Sequence, residues 1–185
     1  MDYGKYSMTL KDWGMVLLKS IIATVIIAYL FYNSPVLCVA FPIVLVYFAR
    51  SARCEGIERQ KKKLTEEFMN ALKILSANLL AGYSVENAWK EAENEMRMMY
   101  GEDSLMLSEL VEMNRQIRMN QPFETVLGSF AVRTGVEDIE NFADIFSFAK
   151  RSGGKFVDII ESTTYRMWSK YDTSRQIDVA VSAKR

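Results

Sequence analysis

The chain has 185 residues, enough for one domain of ordinary size plus a membrane anchor, and half of them are hydrophobic. Its 23 basic and 23 acidic residues cancel overall but not locally: residues 1–49 hold three lysines and two aspartates, residues 50–63 six basic and two acidic (+4), and residues 64–185 fourteen basic and nineteen acidic (−5). The acidic C-terminal part is a poor match for nucleic acid, the absence of histidine removes the commonest general base and zinc ligand, and two isolated cysteines, Cys38 and Cys54, cannot staple a scaffold.

From Val16 to Ala49 the only charge is Lys19, and the only polar break is Asn33-Ser34-Pro35. One helix of that length would far exceed the roughly 20 residues that a bilayer needs, so the stretch reads as two spans, 16–32 and 35–49. Pro35 suits the first turn of the second span, where a missing N–H costs nothing. Lysines flank the entry, Arg50, Arg53, Arg59 and Lys61 to Lys63 flank the exit, and the turn is uncharged. Both ends are therefore expected in the cytoplasm. A cleaved signal peptide is disfavoured, because a second apolar run follows at once with no small-residue cleavage site between. Residues 50–63 form a basic collar suited to anionic lipid headgroups.

From Leu64 onward the apolar spacing is helical. Phe68, Ala71, Leu72, Leu75 and Leu79 make the first stripe, and Val85, Ala88, Trp89, Ala92 and Met96 the second, after a break at Gly82 with Ser84 as cap. A third helix starts at Asp103 or Ser104 and runs through Leu107, Leu110, Val111 and Ile117. Pro122 opens a fourth that ends near Gly135. The fifth carries Ile139, Phe142, Ala143 and Phe146 up to Gly153-Gly154, and the sixth runs from about Lys155 to the end. The expected fold is all-α: an N-terminal two-helix transmembrane hairpin followed by a cytoplasmic six-helix antiparallel bundle over residues 64–185.

Three turns share one pattern, a turn residue followed by apolar residues at +3, +6 and +7. They are Gly82 with Val85, Ala88 and Trp89; Asn120 with Phe123, Val126 and Leu127; and Gly153 with Phe156, Ile159 and Ile160. These offsets are ordinary for helices, but a left-handed turn residue before each buried ridge is more specific. The run Phe68, Ala71-Leu72, Leu79, Gly82-Tyr83-Ser84, then Asn120, Phe123, Val126-Leu127, then Ser152-Gly153-Gly154 and Phe156, resembles the type II secretion system F domain, in its tight-adherence (Flp) pilus assembly branch. Asn120 stands where a glycine is usual, and tight-adherence relatives continue beyond Arg185 into further membrane helices.

The resemblance implies a platform protein of the bacterial inner membrane, with its helical domain in the cytoplasm. It implies as partners a hexameric secretion ATPase, pilin or pseudopilin subunits, and other platform subunits or a second copy. A membrane-tethered adaptor that only binds proteins is the alternative. Catalytic groups are not expected: Ser76, Ser129 and Ser147 have no histidine to activate them, and Ser152-Gly153-Gly154-Lys155 lacks the spacing of a phosphate loop. No cofactor and no metal is expected, and any ATP is hydrolysed by a partner. Candidate docking residues are the acidic groups Glu91, Glu93 and Glu95, and Glu137, Asp138 and Glu140, with the apolar Met98, Met99 and Trp168. Carboxylates at alternate positions of one helix diverge, so solvated faces are the plainer reading of both clusters.

Overall fold

The computed structural model describes residues 13–22, 36–151 and 156–182. Among them the chain is all-helical, with seven helices and no strand. They are α1 (13–22), α2 (Val36–Leu80), α3 (Val85–Tyr100), α4 (Leu105–Arg118), α5 (Phe123–Thr134), α6 (Glu137–Arg151) and α7 (Phe156–Ser182), with a single 3₁₀ turn at Gly101–Asp103. Asp2–Lys61 and Lys62–Arg185 form two compact units.

The first departure from the sequence reading is α2. A second span, a collar and a first bundle helix were expected as separate pieces, but Val36–Leu80 is one helix. The reason is local: residues 50–63 consist largely of Arg, Lys, Glu, Gln and Ala, good helix formers, and Gly56 alone is too weak an interruption to end it. Among the described residues no helix is long and apolar enough to cross a membrane. Residues 23–35, which include most of the expected first span and the Asn33-Ser34-Pro35 turn, lie outside the described residues, as do Gly153 and Gly154.

Within the N-terminal unit, Val16 and Ser20 are the buried residues of α1, four apart on one face. Met15, Val16 and Lys19 line a cavity with Phe48, Ser51, Ala52 and Gly56 of α2. Small residues at 51, 52 and 56 let two helix backbones approach closely. Residues near 16 thus lie beside residues near 52.

In the C-terminal unit α2 buries one broad face. The expected stripe of Phe68, Ala71, Leu72, Leu75 and Leu79 is buried, and burial extends past it on both flanks, to Glu67 and Ile74 on one and to Met69 and Ser76 on the other. Helices α3 to α7 follow one another along the chain, and from α4 on each packs on its predecessor. Their rings converge: Trp89 meets Phe123 edge-on at 5.3 Å, Phe123 and Phe146 lie 4.8 Å apart, and Phe146 meets Phe156 at 5.2 Å. Phe142 then links Phe146 to Phe68 of α2, and Phe68 reaches Phe130. The ridges at the starts of α3, α5 and α7 thus meet in one aromatic cluster, where edge and tilted contacts add to plain burial.

Two helix ends close in the same way. At the end of α2, Gly82 N–H donates to the Leu79 carbonyl and Tyr83 N–H to that of Asn78. At the end of α4, Asn120 N–H donates to Ile117 and Gln121 N–H to Gln116. Both are Schellman closures, and the residue at the bend has φ of 89° in Gly82 and 63° in Asn120. Nothing lies within 4 Å of a Cβ added at Gly82, so a substitution there meets backbone strain alone. Gly82→Val is expected to cost about 1–2 kcal/mol and lower the thermal midpoint by several degrees. Asn120→Gly, which relieves a Cβ, should change it little; a Gly82→Val protein that melts like wild type would contradict the turn assignment.

The third helix differs from its expected register. Its buried face is Met106, Leu107, Leu110, Met113 and Asn114, while Val111 is exposed and Ile117 half-buried. Asn114 turns inward because its amide donates to Glu93 Oε2 at 2.8 Å.

Candidate functional site

Charged side chains first show where a site is not. Glu93 accepts from Arg97 on its own helix and from Asn114 on α4, and Glu91 accepts from Asn94. Glu95 is half-buried on a different side of α3. The three carboxylates diverge, as their spacing requires. Asp138 pairs with Lys170 of α7 at 2.6 Å, while Glu137 and Glu140 stay exposed at the start of α6. Among the described residues no three His, Cys, Asp or Glu side chains gather in a way that could hold a metal ion.

The deeper carboxylates are structural. Glu67, almost fully buried, accepts on Oε2 from Ser104 Oγ and Met106 N–H, both at 2.9 Å, and so caps α4 from another helix. Glu109 pairs with Arg133 between α4 and α5, and Glu124 with Lys150 between α5 and α6 at 2.9 Å. Burial pushes the Glu124 carboxyl up, but its bonds to Lys150 and to backbone outweigh that and hold it below the usual range. On the surface of α4, hydrogen bonds from Arg115 and Gln116 lower Glu112 to about 2.

In the C-terminal unit a groove runs between α2 and α7. The two helices run antiparallel: Glu66 pairs with Arg175 at 3.8 Å, and Lys73 Nζ sits 3.9 Å from the centre of the Trp168 ring. Farther along, a cavity of about 580 Å³ opens between Lys73, Ser76, Ala77 and Leu80 on one side and Asp158, Glu161, Thr164, Tyr165 and Trp168 on the other. From Ala71 to Leu80 the exposed residues of α2 are Lys73, Ala77 and Leu80, and all three line it. Trp168 forms a fixed wall, one face held by the lysine cation. Tyr165 is 71 % and Leu80 56 % exposed, so large apolar groups stand open to water. Thr164 behind the wall is 5 % exposed, and among the described residues its buried hydroxyl has no hydrogen-bond partner, an arrangement that costs about 1–3 kcal/mol.

Of the sequence-nominated docking residues, only Trp168 lies in this groove. Met98 (86 % exposed) and Met99 project from the last turn of α3. Asp158, Glu161 and Tyr165 were not singled out, although with Trp168 they fall at offsets of three, seven and ten along α7, a helical stripe of acidic then aromatic groups.

Contacts of α7 make its docking sensitive to alkaline pH. The bond to Asp138 raises Lys170 above its usual 10.5. Burial, then the charge of Glu66 and a hydrogen bond to it, raise Tyr171 above 10.0. A raised folded value means that stability is fully present below the unfolded value and lost as pH rises through the folded one. Denaturant midpoints should therefore fall above about pH 10, and the fall should shrink in a Lys170→Gln, Tyr171→Phe double variant.

Compared with family models, curated proteins and solved structures, the chain matches none.

Proposed function

We propose that the chain is an inner-membrane platform protein of a type II secretion or tight-adherence pilus machine, coupling a cytoplasmic secretion ATPase to the assembly of pilin subunits. The observation that carries this reading is the pair of identical helix closures at Gly82 and Asn120, each followed by a ridge that enters the aromatic cluster at Trp89 and Phe123. These are two of the three turns on which the resemblance to the F domain rests.

In this reading residues 16–32 and 35–49 form the transmembrane hairpin, with residues 50–63 at the headgroups and both ends in the cytoplasm. The apolar composition of 16–49, its basic flanks and the register of Val16 beside Ser51 and Ala52 support it. The chain performs no reaction of its own; it transmits motion between a hexameric ATPase, pilin or pseudopilin, and other platform subunits or a second copy.

Topology and assembly together test the proposal. After removal of Cys38 and Cys54, a cysteine at Ser34 should react with an impermeant thiol reagent on intact cells. A cysteine at the exposed Ser108 should react only after lysis. Deleting the gene should leave pilin in the membrane but unassembled. Labelling of Ser108 in intact cells would overturn the orientation, and normal assembly without the chain would leave a binding adaptor as the better account.

A further inference from the structure

We propose that the groove between α2 and α7 is a docking site for a basic amphipathic helix of a partner protein. This inference rests on the geometry of the groove and not on the platform reading.

Three observations combine. From Ala71 to Leu80 the strip of α2 along Lys73, Ala77 and Leu80 is exposed and lines the groove. Two antiparallel helices present parallel ridges, and the shape that fills the furrow between them is a third helix. From Lys73 to Leu80 the furrow runs about 10 Å, two turns, which matches anchor side chains at i, i+3 or i+4, and i+7.

Charge selects the occupant. Asp158 and Glu161 stand exposed at the Leu80 end and make no ion pair among the described residues, whereas the one cation in the groove, Lys73, is already placed over Trp168. An acidic end beside an aromatic middle fits a helix with an apolar stripe against Leu80, Tyr165 and Trp168 and with Lys or Arg reaching Asp158 and Glu161.

The test uses the full-length chain in mild detergent and a fluorescently labelled synthetic peptide of about 15 residues, long enough to be helical. It carries leucines at i, i+3, i+4 and i+7 and lysines on the remaining faces. Comparison peptides replace every lysine by glutamate or scramble the order. Anisotropy should show saturable binding of the lysine peptide, about tenfold weaker or no binding of the other two, and a loss of about tenfold as salt rises. An Asp158→Lys, Glu161→Lys variant should reverse the preference and take the glutamate peptide, a gain that misfolding cannot produce. Charge reversal at Glu140, outside the groove, should change nothing. Equal binding of lysine and glutamate peptides, absence of binding, or an unaltered preference in the double variant would each overturn the proposal while leaving the platform reading untouched.

Discussion

Phe146→Ala is expected to destabilise the helical bundle by about 3–5 kcal/mol, the usual cost of removing a ring from a close-packed core. Phe146 is fully buried on α6 and touches Phe123, Phe142 and Phe156, so a cavity there separates the ridges at the starts of α5 and α7. Domains of this size hold only about 5–15 kcal/mol, so the midpoint should fall by roughly 10–20 °C. Val132→Ala, an exposed truncation on α5, should stay within about 0.5 kcal/mol. Thermal melts of the two variants decide the matter: similar small shifts would mean that the aromatic cluster is not the keystone of the packing.

The second large effect is expected at Glu67. Replacement by alanine removes the acceptor for Ser104 Oγ and Met106 N–H at the start of α4 and leaves both donors in a buried site. Ser104 in turn caps Leu107 N–H at 2.9 Å, so one deletion loosens the whole first turn. Losing hydrogen bonds to a charged group and stranding a buried donor together cost about 3 kcal/mol. Glu67→Gln keeps one acceptor oxygen and should cost about half as much. Lys63 lies 3.6 Å from the other carboxylate oxygen but is half exposed, so Lys63→Ala should cost no more than about 1 kcal/mol. Urea titration of the three variants tests that order. If Lys63→Ala were the most damaging, the ion pair rather than the cap would be what Glu67 supplies.

Glu67 also shows where sequence reading stops. The helices α3 to α6 were legible because their ends are written locally: Ser84 and Ser104 as caps, Gly82, Gly101 and Gly135 at positive φ, Asn120 as the substitute for glycine. The stripe on α2 was legible because Phe68, Leu72, Leu75 and Leu79 repeat with the helical period. That the buried face of α2 widens past this stripe was not, because its two flanks contain Glu67 and Ser76, polar residues whose burial depends on which helices arrive from elsewhere in the chain. The same holds for α4, where an asparagine is inside and a valine outside because Glu93 of α3 holds the amide.

The candidate site was less legible for a related reason. Glu91, Glu93 and Glu95 look like a cluster along the chain, yet successive residues turn by about 100° around a helix axis, and two of the three are engaged by neighbours. The groove, by contrast, is assembled from Lys73, Ala77 and Leu80 on one helix and Asp158, Tyr165 and Trp168 on another far along the sequence. Each stripe alone resembles an ordinary solvated face. Only the antiparallel register fixed by Glu66 with Arg175 and Lys73 with Trp168 makes a furrow of them.

Coupling to an ATPase is the central claim, and direct association measures it. The full-length chain, immobilised in mild detergent, should retain the secretion ATPase of its own organism in a saturable manner. Binding should weaken as salt rises, because the domain from residue 64 onward carries a net charge of −5, fourteen basic against nineteen acidic residues, and screening acts within about 10 Å at 0.1 M. The chain by itself should hydrolyse no ATP. Failure to retain the ATPase at any salt concentration, or ATP hydrolysis by the purified chain alone, would contradict the account.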